Sequence, residues 1–201
     1  MNDHLEIEIK LLVEDLTDVQ QRLKSVGARM TKPRIFERNI RYEDADHTLT
    51  SQGKLVRLRV DDRVRLTYKE PAPQVDELAA TRLELEVVVD NFETMELILG
   101  RMGYHPYLVY EKYRTTYELF DAEIVLDKLP YGNFVEIEGD PQAIQRVMDA
   151  LHLKDARPFK TNYITLFDNV KHHLQLDFHD LTFANFEGID VPPSAFDFPG
   201  G

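Results

Sequence analysis

An α+β fold built on an antiparallel sheet is what this sequence predicts, and three observations predict it. At least six segments alternate apolar and polar residues with a period of two, as half-buried strands do. Amphipathic stretches with helical spacing follow three of them. The polar faces of those strands consist almost wholly of Lys, Arg, Asp and Glu, with few of the Ser, Thr and Gln residues that a solvent face mixes in.

The first strand covers residues 5–13, where Leu5, Ile7, Ile9 and Leu11 alternate with Glu6, Glu8 and Lys10 until Leu12 and Val13 break the pattern. A helix follows, with Leu16, Val19, Leu23 and Val26 at helical spacing, Asp15 or Thr17 as N-cap and Gly27 as its stop. Residues 55–60 set Val56, Leu58 and Val60 against Arg57 and Arg59. Residues 63–69 set Val64, Leu66 and Tyr68 against Arg63, Arg65, Thr67 and Lys69. Residues 82–89 set Leu83, Leu85, Val87 and Val89 against Arg82, Glu84 and Glu86. Asn91 then caps a helix carrying Met95, Ile98, Leu99 and Met102 that ends near Gly103. Tyr104, Tyr107 and Tyr110 read as packing residues around a turn at Pro106. Residues 110–118 put Lys112 and Arg114 on one face and Tyr113 and Tyr117 on the other. Residues 122–127 and 133–138 carry Glu123 and Asp127, then Glu136 and Glu138. Asp140-Pro141, an N-cap followed by proline, opens a last helix through Ile144, Val147, Met148 and Leu151.

Three times, then, two glutamates flank one aliphatic residue ahead of a helix: Glu6-Ile7-Glu8, Glu84-Leu85-Glu86 and Glu136-Ile137-Glu138. Residues two apart in a strand share a face, so each pair aims two carboxylates the same way and needs compensating cations. The copies share too little sequence to demonstrate a duplication.

Composition narrows the function. A chain of 201 residues with 43% hydrophobic content supports one substantial domain with an appendage. Its net charge of −12 argues against broad affinity for nucleic acid or anionic membrane. With no cysteine, any metal must be held by oxygen or imidazole. The N-terminus, Met1-Asn2-Asp3-His4, has no basic and apolar leader pattern, and a cytoplasmic protein is expected.

Two arrangements satisfy the charged faces. An open sheet would turn them to water. A sheet curled into a barrel would turn them inward, with the aliphatic faces outward under the helices; so many buried charges must then pair, stay hydrated or bind something charged. A polyphosphate carried with divalent cations suits both signs together, since basic side chains neutralise phosphate oxygens and carboxylates hold hard cations.

The motifs resemble those of the CYTH superfamily, the triphosphate tunnel metalloenzymes, named for class IV adenylyl cyclases and thiamine triphosphatases. Glu6-Ile7-Glu8-Ile9-Lys10 matches the Glu-x-Glu-x-Lys strand, Arg57-Leu58-Arg59 the Arg-x-Arg strand, and Thr67-Tyr68-Lys69-Glu70-Pro71 the strand ending in lysine before proline. Lys112-Tyr113-Arg114 supplies Lys-x-Arg, and Asp127 and Glu136-Ile137-Glu138 the acidic strand ends. Lys160 precedes Asn162-Tyr163, where the family commonly has lysine before Ser-Tyr. The similarity runs from about residue 5 to 168.

That resemblance implies an antiparallel eight-stranded β-barrel tunnel with a charged lumen and an apolar outer face covered by helices, spanning residues 1–170. It implies Mg²⁺ or Mn²⁺ held by Glu6, Glu8, Glu136 and Glu138, and a triphosphate gripped by Lys10, Arg57, Arg59, Lys69, Lys112, Arg114 and Lys160. Lys69, Glu86 and Asp127 are the expected catalytic groups. The middle pair, Glu84 and Glu86, is open between metal ligand, water orienter and ion-pair partner. The expected activity is hydrolysis of tripolyphosphate, a nucleoside triphosphate or thiamine triphosphate. The alternatives are an adenylyl cyclase converting ATP to cyclic AMP and pyrophosphate, and a non-catalytic polyphosphate sensor.

Arg63, Arg65 and Arg82 share the charged faces and are equally compatible with a ligand role and with strand ends reaching solvent. His172, His173 and His179 lack ligand spacing and read as surface residues. Residues 171–201 form an extension rich in aromatic and aliphatic groups, including Leu174, Leu176, Phe178, Leu181, Phe183, Phe186, Phe196 and Phe198. That composition is too apolar for a disordered tail, so it is expected to pack on the barrel's apolar outside or on a second subunit of a homodimer.

Overall fold

The structure, a computed structural model, describes residues 4–74, 77 and 79–197. Residues 1–3 of the expected leaderless start, and Phe198 with the Pro-Gly-Gly end, lie outside that set.

Among the described residues nine strands form one antiparallel sheet: β1 (Leu5–Val13), β2 (Arg29–Glu43), β3 (Leu55–Val60), β4 (Val64–Pro71), β5 (Ala80–Val89), β6 (His105–Leu119), β7 (Ala122–Leu129), β8 (Gly132–Glu138) and β9 (Arg157–Phe159). The order is β5-β4-β3-β2-β6-β7-β8-β1-β9, and β1 also pairs with β5, so eight strands close into a ring. One edge of β1 takes β8; the other takes β5 along Leu5 to Glu8 and then β9 along Lys10 to Leu12. Closure removes the free edges an open sheet would expose. It also decides between the two arrangements left open by the sequence. The charged faces turn inward, around a cavity of about 600 Å³.

Helices cover much of the outside. α1 (Leu16–Ser25) is capped by Asp15, which accepts from the Thr17 amide, and Gly27 ends it with a positive φ of 76°. α4 (Pro141–Ala150) is capped by Asp140. Together they bury Val19, Leu23, Ile144, Val147 and Leu151 against Ile9, Leu11, Ile124, Leu126, Val135 and Ile137. α2 (Thr48–Ser51) is a single turn, and α3 (Phe92–Arg101), capped by Asn91, seats Leu99 on Ile40, Tyr42 and Leu58. The outward side of β5 stays bare, with Leu85 and Val87 exposed.

The third core lies elsewhere. Along β1, β6, β7 and β8 the inward-facing positions change from charged to apolar: Lys10 gives way to Leu12, Lys112 to Tyr110 and Leu108, Asp127 to Leu129, and Glu136 to Phe134. These side chains pack with Phe167 and Val170 of α5 (Tyr163–Leu174) and with Leu181, Phe186 and Phe196 beyond it. The helix and the tail thus fill that end of the ring's interior. The tail also takes a place in the ladder, since Leu181 bridges Tyr110 and exchanges backbone bonds with Val109 and Glu111. Among the described residues no helix is long and apolar enough to cross a membrane.

Three sequence expectations need correction here. No turn occurs at Pro106, because β6 runs unbroken from His105 to Leu119, and proline is tolerated beside its first residue. The apolar extension from residue 171 is not a separate segment from its start, since α5 continues to Leu174. Finally β2, a strand of 15 residues, was missing altogether from the sequence reading.

Candidate functional site

The lumen is built by the inward parity of the ring. β1 contributes Glu6, Glu8 and Lys10; β3 Arg57 and Arg59; β4 Lys69; β5 Arg82, Glu84 and Glu86. β6 adds Tyr110, Lys112, Arg114 and Thr116, β7 Glu123 and Val125, and β8 Glu136 and Glu138. The sequence-derived set therefore converges, with two qualifications. Asp127 faces inward but lies fully buried beneath the lined part of the lumen, and Lys160 is exposed and absent from the lining, where Asn162, Tyr163 and Ile164 at the start of α5 stand instead.

The charges are sorted across the lumen. Glu136 accepts from Lys10 at 2.9 Å and from Arg114. Burial opposes its ionisation, but Lys10 and Arg114 outweigh that and hold it well below the usual carboxylate range. Lys69 bonds Glu6 and lies 2.7 Å from Glu84. The middle glutamate pair is thus engaged with cations: Glu84 with Lys69, and Glu86 with Arg59 at 2.9 Å and the Thr67 hydroxyl. Asp127 accepts from Lys112 at 2.9 Å, from Arg114 Nε at 2.7 Å and from the Tyr163 hydroxyl. It orients the Lys-x-Arg pair from the filled end of the ring.

One corner keeps surplus negative charge. Glu138 stands opposite Glu8 in the ladder, and among the described residues its side chain has no hydrogen bond or ion pair. Burial, then the carboxylates of Glu6 and Glu123, push its pKa up to about 8. Burial likewise raises Glu6, against the pull of Lys69. Crowded carboxylates raise a carboxyl's pKa in this way, because each disfavours the charge of the other. No three acidic or imidazole groups converge on one point among the described residues, because Glu6, Glu8 and Glu136 are turned onto Lys69, Lys10 and Arg114. Carboxylate oxygens are the hard donors that suit Mg²⁺ or Mn²⁺, and of the four glutamates Glu138 alone has no cation partner among the described residues.

The opposite wall holds residues that sequence reasoning missed. Glu37 of β2 is buried among Lys112 at 3.7 Å and Arg59 and Arg114 at 3.9 Å. Burial would raise its pKa, but those cations and Arg57 outweigh it and bring it to about 2. Asn39 and Arg41 follow on the same face. Tyr110 packs as expected, though within β6 and not at a turn, and its hydroxyl also serves the lumen: it accepts from Arg57 Nη1 at 2.7 Å, and Arg57 and Lys112 lower its pKa despite burial. Tyr163 lies under Lys10 and Lys112, 4.7 and 5.3 Å from the ring centroid.

The undecided arginines separate. Arg65 is buried on Asp61 at 2.6 Å, Arg63 is exposed beside Asp62, and Arg82 reaches the lumen. His172 and His173 are exposed, and the exposed ring of His179 contacts the Tyr107 carbonyl.

The sequence profile of the CYTH domain matches residues 4–163. A protein of Methanocaldococcus jannaschii, provisionally named an adenylate cyclase, is 29% identical over 136 residues, 67% of this chain and 76% of that protein. A provisionally named adenylate cyclase from Vibrio parahaemolyticus superposes with a TM-score of 0.67 at 20% identity, over 82% of this chain and 98% of its own. A Hippeastrum protein described as having a dominant triphosphatase activity superposes at 0.60 with 16% identity, over 82% and 95%. At those identities the structural matches speak for the fold.

Proposed function

The chain belongs to the CYTH domain family, and from that premise we propose that it is a divalent-metal-dependent enzyme hydrolysing a triphosphate: tripolyphosphate, a nucleoside triphosphate or thiamine triphosphate. The observation that carries this reading is the sorting of charge in one lumen, with Arg57, Arg59, Lys112 and Arg114 on one wall and Glu6, Glu8 and Glu138 in a corner across from it. A polyanion needs the first, and its counter-cation the second.

Phosphoryl transfer asks a protein mainly for positioning and for charge to stabilise the transition state. In this lumen Arg57, Arg59, Lys112 and Arg114 would hold the phosphate oxygens, with Asp127 fixing the last two. Lys69, set between Glu6 and Glu84, would neutralise charge on the leaving phosphate. Lys10 would do the same near Glu136, while Glu86 holds Arg59 in place. A divalent cation held by Glu6, Glu8, Glu136 and Glu138 would supply Lewis-acid stabilisation of the phosphate oxygens.

A second reading, cyclisation of ATP to cyclic AMP and pyrophosphate, is favoured by the name of the Methanocaldococcus relative. The test is release of phosphate from tripolyphosphate and from ATP, with cyclic AMP measured in parallel, in Mg²⁺, in Mn²⁺ and with chelator. Hydrolysis predicts metal-dependent phosphate and no cyclic AMP. Cyclic AMP with pyrophosphate selects the second reading, and tight binding with neither product leaves a sensor.

A further inference from the structure

One buried cation of the lumen is unaccounted for. Arg41, on the inward face of β2, is only 9% exposed and lines the cavity, yet among the described residues it makes no hydrogen bond or ion pair, and its Nε is buried without a partner. By contrast Lys10, Lys69, Lys112 and Arg114 each face a carboxylate. Arg41 stands directly opposite Arg57 in the ladder, so two like charges share one cross-strand site, an arrangement that destabilises a sheet. Arg82 adds a third guanidinium at the same end of the lumen, where β2 and β4 finish and β3 and β5 begin. It donates to the Gly53 carbonyl at 2.6 Å and leaves its own Nε unpartnered. Arg57 Nε is unpartnered as well. Burial and the positive charge of Arg82 weaken the hold of Arg41 on its proton, against the pull of Tyr110 and Glu43.

Arg57 has Tyr110 and, at 3.9 Å, Glu84, and Arg82 has the Gly53 carbonyl, but Arg41 has no such partner among the described residues, and a buried guanidinium without a partner is tolerated where an anion completes it. This trio continues the basic wall past Arg57, beyond Arg59, Lys112 and Arg114. We propose that Arg41 and Arg82, with Arg57, form a fourth phosphate subsite, so that the lumen takes a polyphosphate longer than three by its additional phosphoryl group. The inference rests on the triphosphate reading of the lumen and extends its substrate class to inorganic tetraphosphate and longer chains.

Calorimetric titration with tripolyphosphate and tetrapolyphosphate, each with and without Mg²⁺, tests it on wild type, Arg41→Gln and Arg41→Lys. Wild type is expected to bind tetrapolyphosphate roughly tenfold more tightly, the scale of one added charge-assisted hydrogen-bonding partner. Arg41→Gln should bring that ratio close to one, and Arg41→Lys, which keeps the charge without the fork, should recover part of it. Relieving the like-charge pair should also raise the melting temperature of ligand-free Arg41→Gln by about 2–4 °C. Equal affinities in wild type, or a preference that survives in Arg41→Gln, overturn the subsite. A lower melting temperature overturns its premise by showing that Arg41 has a structural partner. Failure of wild type to bind either polyphosphate overturns instead the reading of the lumen itself.

Discussion

Tyr163 donates its hydroxyl to Oδ2 of Asp127 across 3.0 Å, tying the first residue of α5 to the carboxylate that orients Lys112 and Arg114. Helix, acidic strand and basic strand therefore meet at one buried group. Asp127→Asn should leave two cations underpaired in the interior and cost about 3–5 kcal/mol. Tyr163→Phe, which removes one hydrogen bond and keeps the ring, should cost only about 1 kcal/mol. Denaturant melts of both variants check this; equal losses would mean that Asp127 is no hub.

Glu37 faces three cations that each have a second carboxylate: Arg59 has Glu86, Lys112 has Asp127, and Arg114 has Asp127 and Glu136. Its low pKa makes it a poor base, so its effect is to hold that fan of cations and to weaken their attraction for anions. Glu37→Gln should bind tripolyphosphate about five- to tenfold more tightly at low salt. Turnover should fall by about tenfold or more as the cations swing to their other partners. Titration and steady-state kinetics together check this, and weaker binding would refute it.

Glu43 supplies the pH-dependent case. Its carboxylate accepts from the amides of Leu49 and Thr50 at 3.0 and 2.8 Å and from the Thr50 hydroxyl at 2.6 Å. Burial opposes ionisation, but these bonds outweigh it and lower the pKa below its ordinary value of 4.5. A carboxyl with a depressed folded pKa stabilises fully above its unfolded value, and loses that contribution as pH falls through the folded one. Glu43→Gln should therefore cost about 1–3 kcal/mol at pH 7. The gap to wild type should close toward pH 3. A gap independent of pH, measured by urea melts across that range, would remove the charge from the explanation.

Phe196 is 2% exposed, with its ring 5.6 Å from Tyr131, 5.9 Å from Phe134 and 6.2 Å from Phe159. Phe196→Ala should cost about 3–5 kcal/mol, as removal of a core aromatic does. Deleting residues 177–201 should cost more, since Leu181 and Phe186 leave the same cluster. Thermal melts check both; a wild-type melting temperature after either change would show that the tail does not support the ring.

Much of the ring was legible because its strands alternate cleanly, and three helices because Asp15, Asn91 and Asp140 cap them as their side chains require. β2 was not. Its register shifts between Met30 and Lys32, between Lys32 and Ile35 and between Arg41 and Tyr42, and Pro33 falls in the middle, so period two survives only in short runs. With β2 went Glu37, Asn39 and Arg41, a whole wall of the site. Tyr110 packs as its aromatic character implies, but the turn suggested by Pro106 hid its place on the inward face of β6. The filled end of the ring had left a trace: the break in alternation at Leu12 is where the interior changes from charged to apolar.

β1 is among the last strands to be satisfied. β1 pairs with β5, β8 and β9, so residues 5–13 wait for partners as far along the chain as residue 159. Loop closure over such separations is slow, and the waiting strand has one apolar face and two open edges. Until α4 and β8 follow, Ile9 and Leu11 have only Val19 and Leu23 of α1 to pack on, so the ring is expected to be most prone to aggregate before it closes.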